Sequence, residues 1–151
     1  AGRERLERRW LMQERRTSYG WALRVDRGED LWESLRSFAE REGVRSGAIV
    51  GLGSLRECEL GFFVGESGTY ARRTFTGEFE LVALTGNFSE LEGRPFPHCH
   101  ASVSGPDFAV FGGHLFRAVV GLTCEVQVVC GPDVLRRVVR PDLGFNPLDL
   151  A

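Results

Sequence analysis

The sequence predicts an α+β domain built mostly of antiparallel β-sheet, with one main helix packed on a face. Three observations predict it. Only one early segment, Leu31 to Ala39, repeats its apolar residues at helical spacing. The segments after it are strand-like, and their short spacers are rich in Gly, Ser, Pro and Asp, too short for the crossover helices of repeated βαβ units. The 151 residues, 42% hydrophobic and 11% aromatic, are enough for one core without crosslinks.

Taken in order, residues 1–16 carry Arg3, Arg5, Arg8, Arg9, Arg15 and Arg16 against Glu4, Glu7 and Glu14, with Leu6, Trp10 and Leu11 between them. They read as a basic, exposed N-terminal arm or short helix, which leaves residues 17–151 as the single domain. Tyr19, Trp21, Leu23 and Val25 alternate as in a half-buried strand, which Asp26-Arg27-Gly28 closes with turn chemistry. Asp30 followed by Glu33 resembles a capping box. Leu31, Leu35, Phe38 and Ala39 then form an apolar stripe, and Gly43 offers the C-terminal cap.

Strands are expected over Ala48 to Leu52, Glu57 to Val64, Thr69 to Phe75, Phe79 to Phe88, Phe96 to Val103, Phe108 to Phe116, Gly121 to Val129 and Val134 to Val139. Gly51-Leu52-Gly53 is not a dinucleotide fingerprint. It lacks the third glycine and runs into a strand where that motif needs a helix N-terminus, so it marks a bulge or a close approach of strands.

Charge and cysteine content bound the function. A formal net charge of −2, with all 19 cations arginine, argues against non-specific coating of nucleic acid, which needs many phosphates neutralised. The four cysteines contain no Cys-x-x-Cys pair and read as reduced, buried, small apolar residues. No apolar run approaches the roughly 20 residues of a membrane span, and the N-terminus lacks the apolar stretch of a secretory signal. A cytoplasmic protein is expected.

The three histidines, His98, His100 and His114, fall within 17 consecutive residues. On a strand, residues at i and i+2 share a face, so His98 and His100 can aim at one point. Ser104-Gly105-Pro106-Asp107 signals a turn, and a hairpin centred on Pro106 sets His98 opposite His114. A bulge at Gly112-Gly113 would turn His114 away. Three neutral imidazoles with an open fourth position suit Zn²⁺ first, then Fe, Ni or Mn. Cys99 points to the opposite face. For a further ligand or acid/base group the candidates are Asn87, Glu80 and Glu125, on neighbouring strand-like segments.

These motifs resemble the plants-and-prokaryotes-conserved (PPC) domain family. The resemblance runs from about Ala22 to Leu150. It rests on Arg24 to Leu31, Gly77 to Asn87, His98-Cys99-His100-Ala101-Ser102, Gly112-Gly113-His114-Leu115 and Thr123-Cys124-Glu125-Val126. It implies an α+β fold, a homotrimer, and metal ligation by His98, His100 and His114. Plant members carry AT-hook segments for A·T-rich DNA, and prokaryotic members are labelled DNA-binding by that association. This chain has no Arg-Gly-Arg-Pro hook, only the partial echo Gly93-Arg94-Pro95, and Glu78 stands where the family usually has Arg.

Two functions are therefore expected to compete. One is a metal-bound trimeric module in regulation, contacting DNA or a protein through Arg72, Arg73, Arg136, Arg137 and Arg140. The other is a zinc enzyme acting on a small carbonyl or acyl substrate through the three histidines.

Overall fold

The computed structural model describes residues 12–151. Most of the expected N-terminal arm, residues 1–11, lies outside the described residues. The arm's remaining part does not behave as one: Gln13–Thr17 forms strand β1, paired antiparallel with β2, Gly20–Asp26. Four of its five residues stay exposed, and the pairing with β2 takes up its backbone hydrogen bonds.

Helix α1 spans Leu31–Glu42. Asp30 caps it, its side chain accepting from the Glu33 amide at 2.9 Å, and Gly43 ends it in the left-handed region at φ 70. The expected helix and both of its caps are thus present. Its stripe of Leu31, Leu35, Phe38 and Ala39 is buried. Phe38 meets Trp21 edge-on at 5.4 Å and Phe88 at 6.4 Å.

Four long strands follow: β3 (Gly47–Val64), β4 (Thr69–Leu91), β5 (Arg94–Ser104) and β6 (Val110–Val129). Three of them fuse pairs of segments expected separately. The bulge expected at Gly51-Leu52-Gly53 is present as a register shift between Gly51 and Gly53, and a second shift lies between Leu55 and Glu57, both inside one continuous strand. A bulge bends a strand without ending it. Of the strand expected over Val134 to Val139, only the two residues of β7, Arg136–Arg137, pair; β8 is Leu148–Asp149. Val134, Val138 and Val139 stay exposed, so no buried face extends that strand.

The sheet order is β1-β2-β6-β3-β4-β7-β8, with β5 joining β4 and β6. Pairings β3 to β4, β4 to β5, β5 to β6 and β6 to β3 therefore close a ring, and all are antiparallel. Among the described residues the single parallel contact is Glu90 with Arg136. The architecture among the described residues is the predicted one, mostly antiparallel sheet with a single helix, with less helix than the term α+β suggests. The helix packs on β5 and β6. Trp32 fixes it there, its indole Nε1 donating to the Pro97 carbonyl at 2.8 Å and its ring meeting Phe96 at 6.1 Å. That anchor lies one residue from His98.

No helix among the described residues is long and apolar enough to cross a membrane.

Candidate metal centre

Strand β5 alternates strictly. Cys99, Ala101 and Val103 enter the core, while His98 and His100 lie on the other face. Cys99 is therefore a core residue, and burial pushes its thiol up to about 12. His114 reaches the same outer face from β6, directly opposite His100.

The register differs from the expected one. His100, not His98, faces His114, so the hairpin centres one residue beyond Pro106. The loop is longer than a tight turn on Pro106 allows: Phe108 takes a left-handed φ of 62, its amide donates to the Gly105 carbonyl at 3.0 Å, and the Ala109 amide donates to Asp107 Oδ1 at 3.1 Å. Moving a hairpin's centre by one residue moves its pairing by two, which preserves the face. The three histidines still converge.

Gly112 and Gly113 pair regularly with Ser102 and Ala101, so there is no bulge here on the β5 side. Their smallness serves close packing instead. A Cβ on Gly113 would lie 2.6 Å from the Gly61 carbonyl oxygen of β3. The same holds at Gly61, opposite His114, where a Cβ would fall 2.5 Å from the Phe116 ring. Phe116 and Tyr70 occupy that space and wall His114, at centroid distances of 4.6 Å and 4.9 Å.

One ligand-type nitrogen from each of His98, His100 and His114 lies within 4.8 Å of the others. The ring centroids stand 5.1 to 5.5 Å apart. Nitrogens about 2.05 Å from a tetrahedral zinc sit roughly 3.4 Å from one another, so ring rotations of about an ångström close the set. His114 Nδ1 is buried without a hydrogen-bond partner, which costs about 1–3 kcal/mol and is the expected mark of a nitrogen awaiting a ligand. The residues present therefore fit a divalent ion, which would supply Lewis acidity at this face.

Electrostatics hold the donors ready. Burial lowers His98 to about 4, helped by Arg137 and His100; burial also lowers His114 to about 4, helped by His98, His100, Arg72 and Arg137. Both rings are neutral at pH 7, the form that coordinates metal. The sign for stability follows. Each ring binds its proton more weakly folded than unfolded, so stability is complete above the ordinary histidine value near 6.5 and is lost as pH falls toward about 4. Thermal melts of metal-free protein should show the melting temperature falling through that window. Replacement of both His98 and His114 with Gln should flatten the slope there.

Of the other candidates, Asn87 joins the site and two glutamates do not. Asn87 pairs with His98 across β4 and β5. Glu125 pairs with Leu52 and Arg24, eleven residues beyond His114 along β6, or roughly 36 Å of strand at about 3.3 Å per residue. Glu80 pairs with Ser104 and Ser54, lining a separate cavity of about 510 Å³ with Arg27, Arg56 and Glu78.

The arginines read as a DNA or partner face divide. Arg72 stacks over Phe116 at 3.7 Å and pairs with Glu59 at 2.5 Å; Arg73 stacks over Phe75 at 4.7 Å. Arg136 is 67% exposed with Glu90 at 3.4 Å, and Arg140 pairs with Asp142. Arg137 turns the other way, into the histidine site. It donates to Asn87 Oδ1 at 2.9 Å and lies 3.2 Å from His98 Nδ1. Sequence reasoning missed Arg137 and Tyr70 as neighbours of the histidines. Neither lies in a local pattern with them: Tyr70 is brought there by β4 of the closed ring, and Arg137 by β7 pairing on the edge of β4.

A small antiparallel domain with one helix and three imidazoles converging on one hairpin face is a recognisable class. This chain belongs to the Plants and Prokaryotes Conserved (PCC) domain family, abbreviated PPC above, whose model matches residues 12–131. Among solved structures it resembles a putative DNA-binding protein from Bacteroides thetaiotaomicron, with a TM-score of 0.88 and 27% identity over 92% of this chain and 97% of that one. It also resembles a plant- and prokaryote-conserved protein from Pyrococcus horikoshii, with a TM-score of 0.81 and 29% identity over 93% and 96%. A metal-containing protein from Archaeoglobus fulgidus aligns with a TM-score of 0.78 and 27% identity over 91% and 96%. No curated protein matches the chain.

Proposed function

We propose that this protein is a metal-binding PPC module that works as a homotrimer in a DNA-associated regulatory role. Its Zn²⁺ is held by His98, His100 and His114. The convergence of three imidazole nitrogens within 4.8 Å carries the proposal. Support for the metal comes from the relative described as metal-containing, and for DNA from the relative described as a putative DNA-binding protein. Exposed Val50, Leu52, Val82 and Leu122 on the central strands supply the apolar surface that self-association would cover. Of the arginines of the proposed contact face, Arg72, Arg73, Arg136 and Arg140 are exposed and Arg137 is not; Arg72 and Arg140 are held by close ion pairs with Glu59 and Asp142, which leaves Arg73 and Arg136 the better placed for contact.

A second reading has its own observation. Only the three histidines make up the cluster among the described residues, and His100 is exposed, so a fourth position faces solvent. That arrangement suits a zinc enzyme acting on a small carbonyl or acyl substrate.

One pair of assays separates the two. The zinc form should retard an A·T-rich duplex at moderate salt, and R73A/R136A should weaken that retardation with a shallower salt dependence. No retardation, together with turnover of small carbonyl or ester substrates, would reverse the order of the readings.

A further inference from the structure

Arg137 makes four polar contacts and lies over the Phe96 ring at 5.4 Å, and every one of these partners is a neutral group. Nε donates to Ser89 Oγ at 2.8 Å, one terminal nitrogen to the Asn146 carbonyl at 2.9 Å, and the other to Asn87 Oδ1 at 2.9 Å and His98 Nδ1 at 3.2 Å. Among the described residues no carboxylate meets it, whereas Arg72, Arg136 and Arg140 each pair with one. It is half-buried beside the three imidazoles. A guanidinium never gives up its charge, so this site holds an uncompensated cation.

The contact with His98 is conditional. Arginine can only donate, so Nδ1 must accept, and that needs a neutral ring with its lone pair on Nδ1. A His98 that ligates an ion has no such lone pair. Either Nδ1 is itself the ligand atom, or Nε2 is and Nδ1 carries the proton. In both cases an Arg137 N–H loses its acceptor at the edge of the site. A divalent ion on three neutral ligands also adds positive charge next to a fixed one, which raises the demand for an anion.

The geometry points to a binding site for a small oxyanion, a carboxylate or a phosphate, shared between the histidine-bound ion and Arg137. This rests on the metal reading above and gives the open position a ligand class. One oxygen completes the ion's shell, and a second accepts the N–H that His98 releases. Asn87, Ser89 and Asn146 hold the guanidinium plane in place for it. The anion binds the loaded protein and not the metal-free one, because only loading frees the donor and supplies the second charge.

Cobalt(II) substitution tests this, since its visible bands report a change of ligand. Cobalt content is measured first, then acetate, inorganic phosphate and chloride are titrated into wild type, R137Q and R137K. Wild type should take one cobalt per chain and bind acetate, phosphate or both saturably; whichever binds more tightly assigns the ligand class. In R137Q, cobalt content should be unchanged while oxyanion affinity falls about tenfold to a hundredfold, the range of a charge-assisted hydrogen bond. R137K should recover part of the loss, and chloride, with one atom, should bind all three alike. Equal oxyanion affinity in wild type and R137Q overturns the proposal. So does loss of cobalt from a folded R137Q, which would make Arg137 a brace for His98. Failure of wild type to hold cobalt at all would instead refute the metal site itself.

Discussion

Replacing His100 with alanine is expected to abolish stoichiometric metal while leaving the fold intact. His100 is exposed, and its partners are the other two imidazoles, at ring distances of 5.2 and 5.5 Å. Its loss therefore opens no cavity in the core. A structural zinc shell contributes about 10–16 kcal/mol over four ligands, so one ligand is worth roughly 3 kcal/mol, a hundredfold or more in affinity. Elemental analysis after dialysis should find less than a tenth of the wild-type metal, with an unchanged far-ultraviolet circular dichroism spectrum. If the ion is structural, loaded wild type should also melt higher than H100A. A thousandfold excess of ligand over its dissociation constant stabilises by about 4 kcal/mol.

The second large effect belongs to the core. Phe38 is fully buried, at 0% exposure, where the helix meets the rings of Trp21 and Phe88. Phe38→Ala removes that ring and leaves a void, at a cost of about 3–5 kcal/mol. For a domain of this size the melting temperature should drop by roughly 10 °C in a calorimetric scan. Because the helix is tied to β5 through Trp32 and Pro97, a larger loss of metal affinity than of stability in this variant would show that the helix positions His98 directly.

The fold was legible where its signals are local. The helix, with Asp30 and Gly43 as its caps, follows from side-chain period and capping chemistry, which act within a few residues. The histidine face was equally legible, because alternation on β5 is strict and any even shift of the hairpin preserves it. Strand continuity was not. Gly51 and Gly53 were legible as a bulge or close approach, but whether the strand runs on past them depends on pairing with two other strands. The surroundings of the histidines were hidden for a related reason. Arg137 arrives from a segment that adds just one parallel contact to β4, and Glu80 and Glu125 sit on neighbouring strands but too far along them to reach the histidines.

Anomalous diffraction from zinc-loaded crystals, collected on both sides of the zinc edge, tests the central claim most directly. A single strong peak about 2.0–2.1 Å from one nitrogen each of His98, His100 and His114 is the predicted result. Zinc-loaded crystals with no peak between those three rings, or with the peak held by other residues, would contradict it.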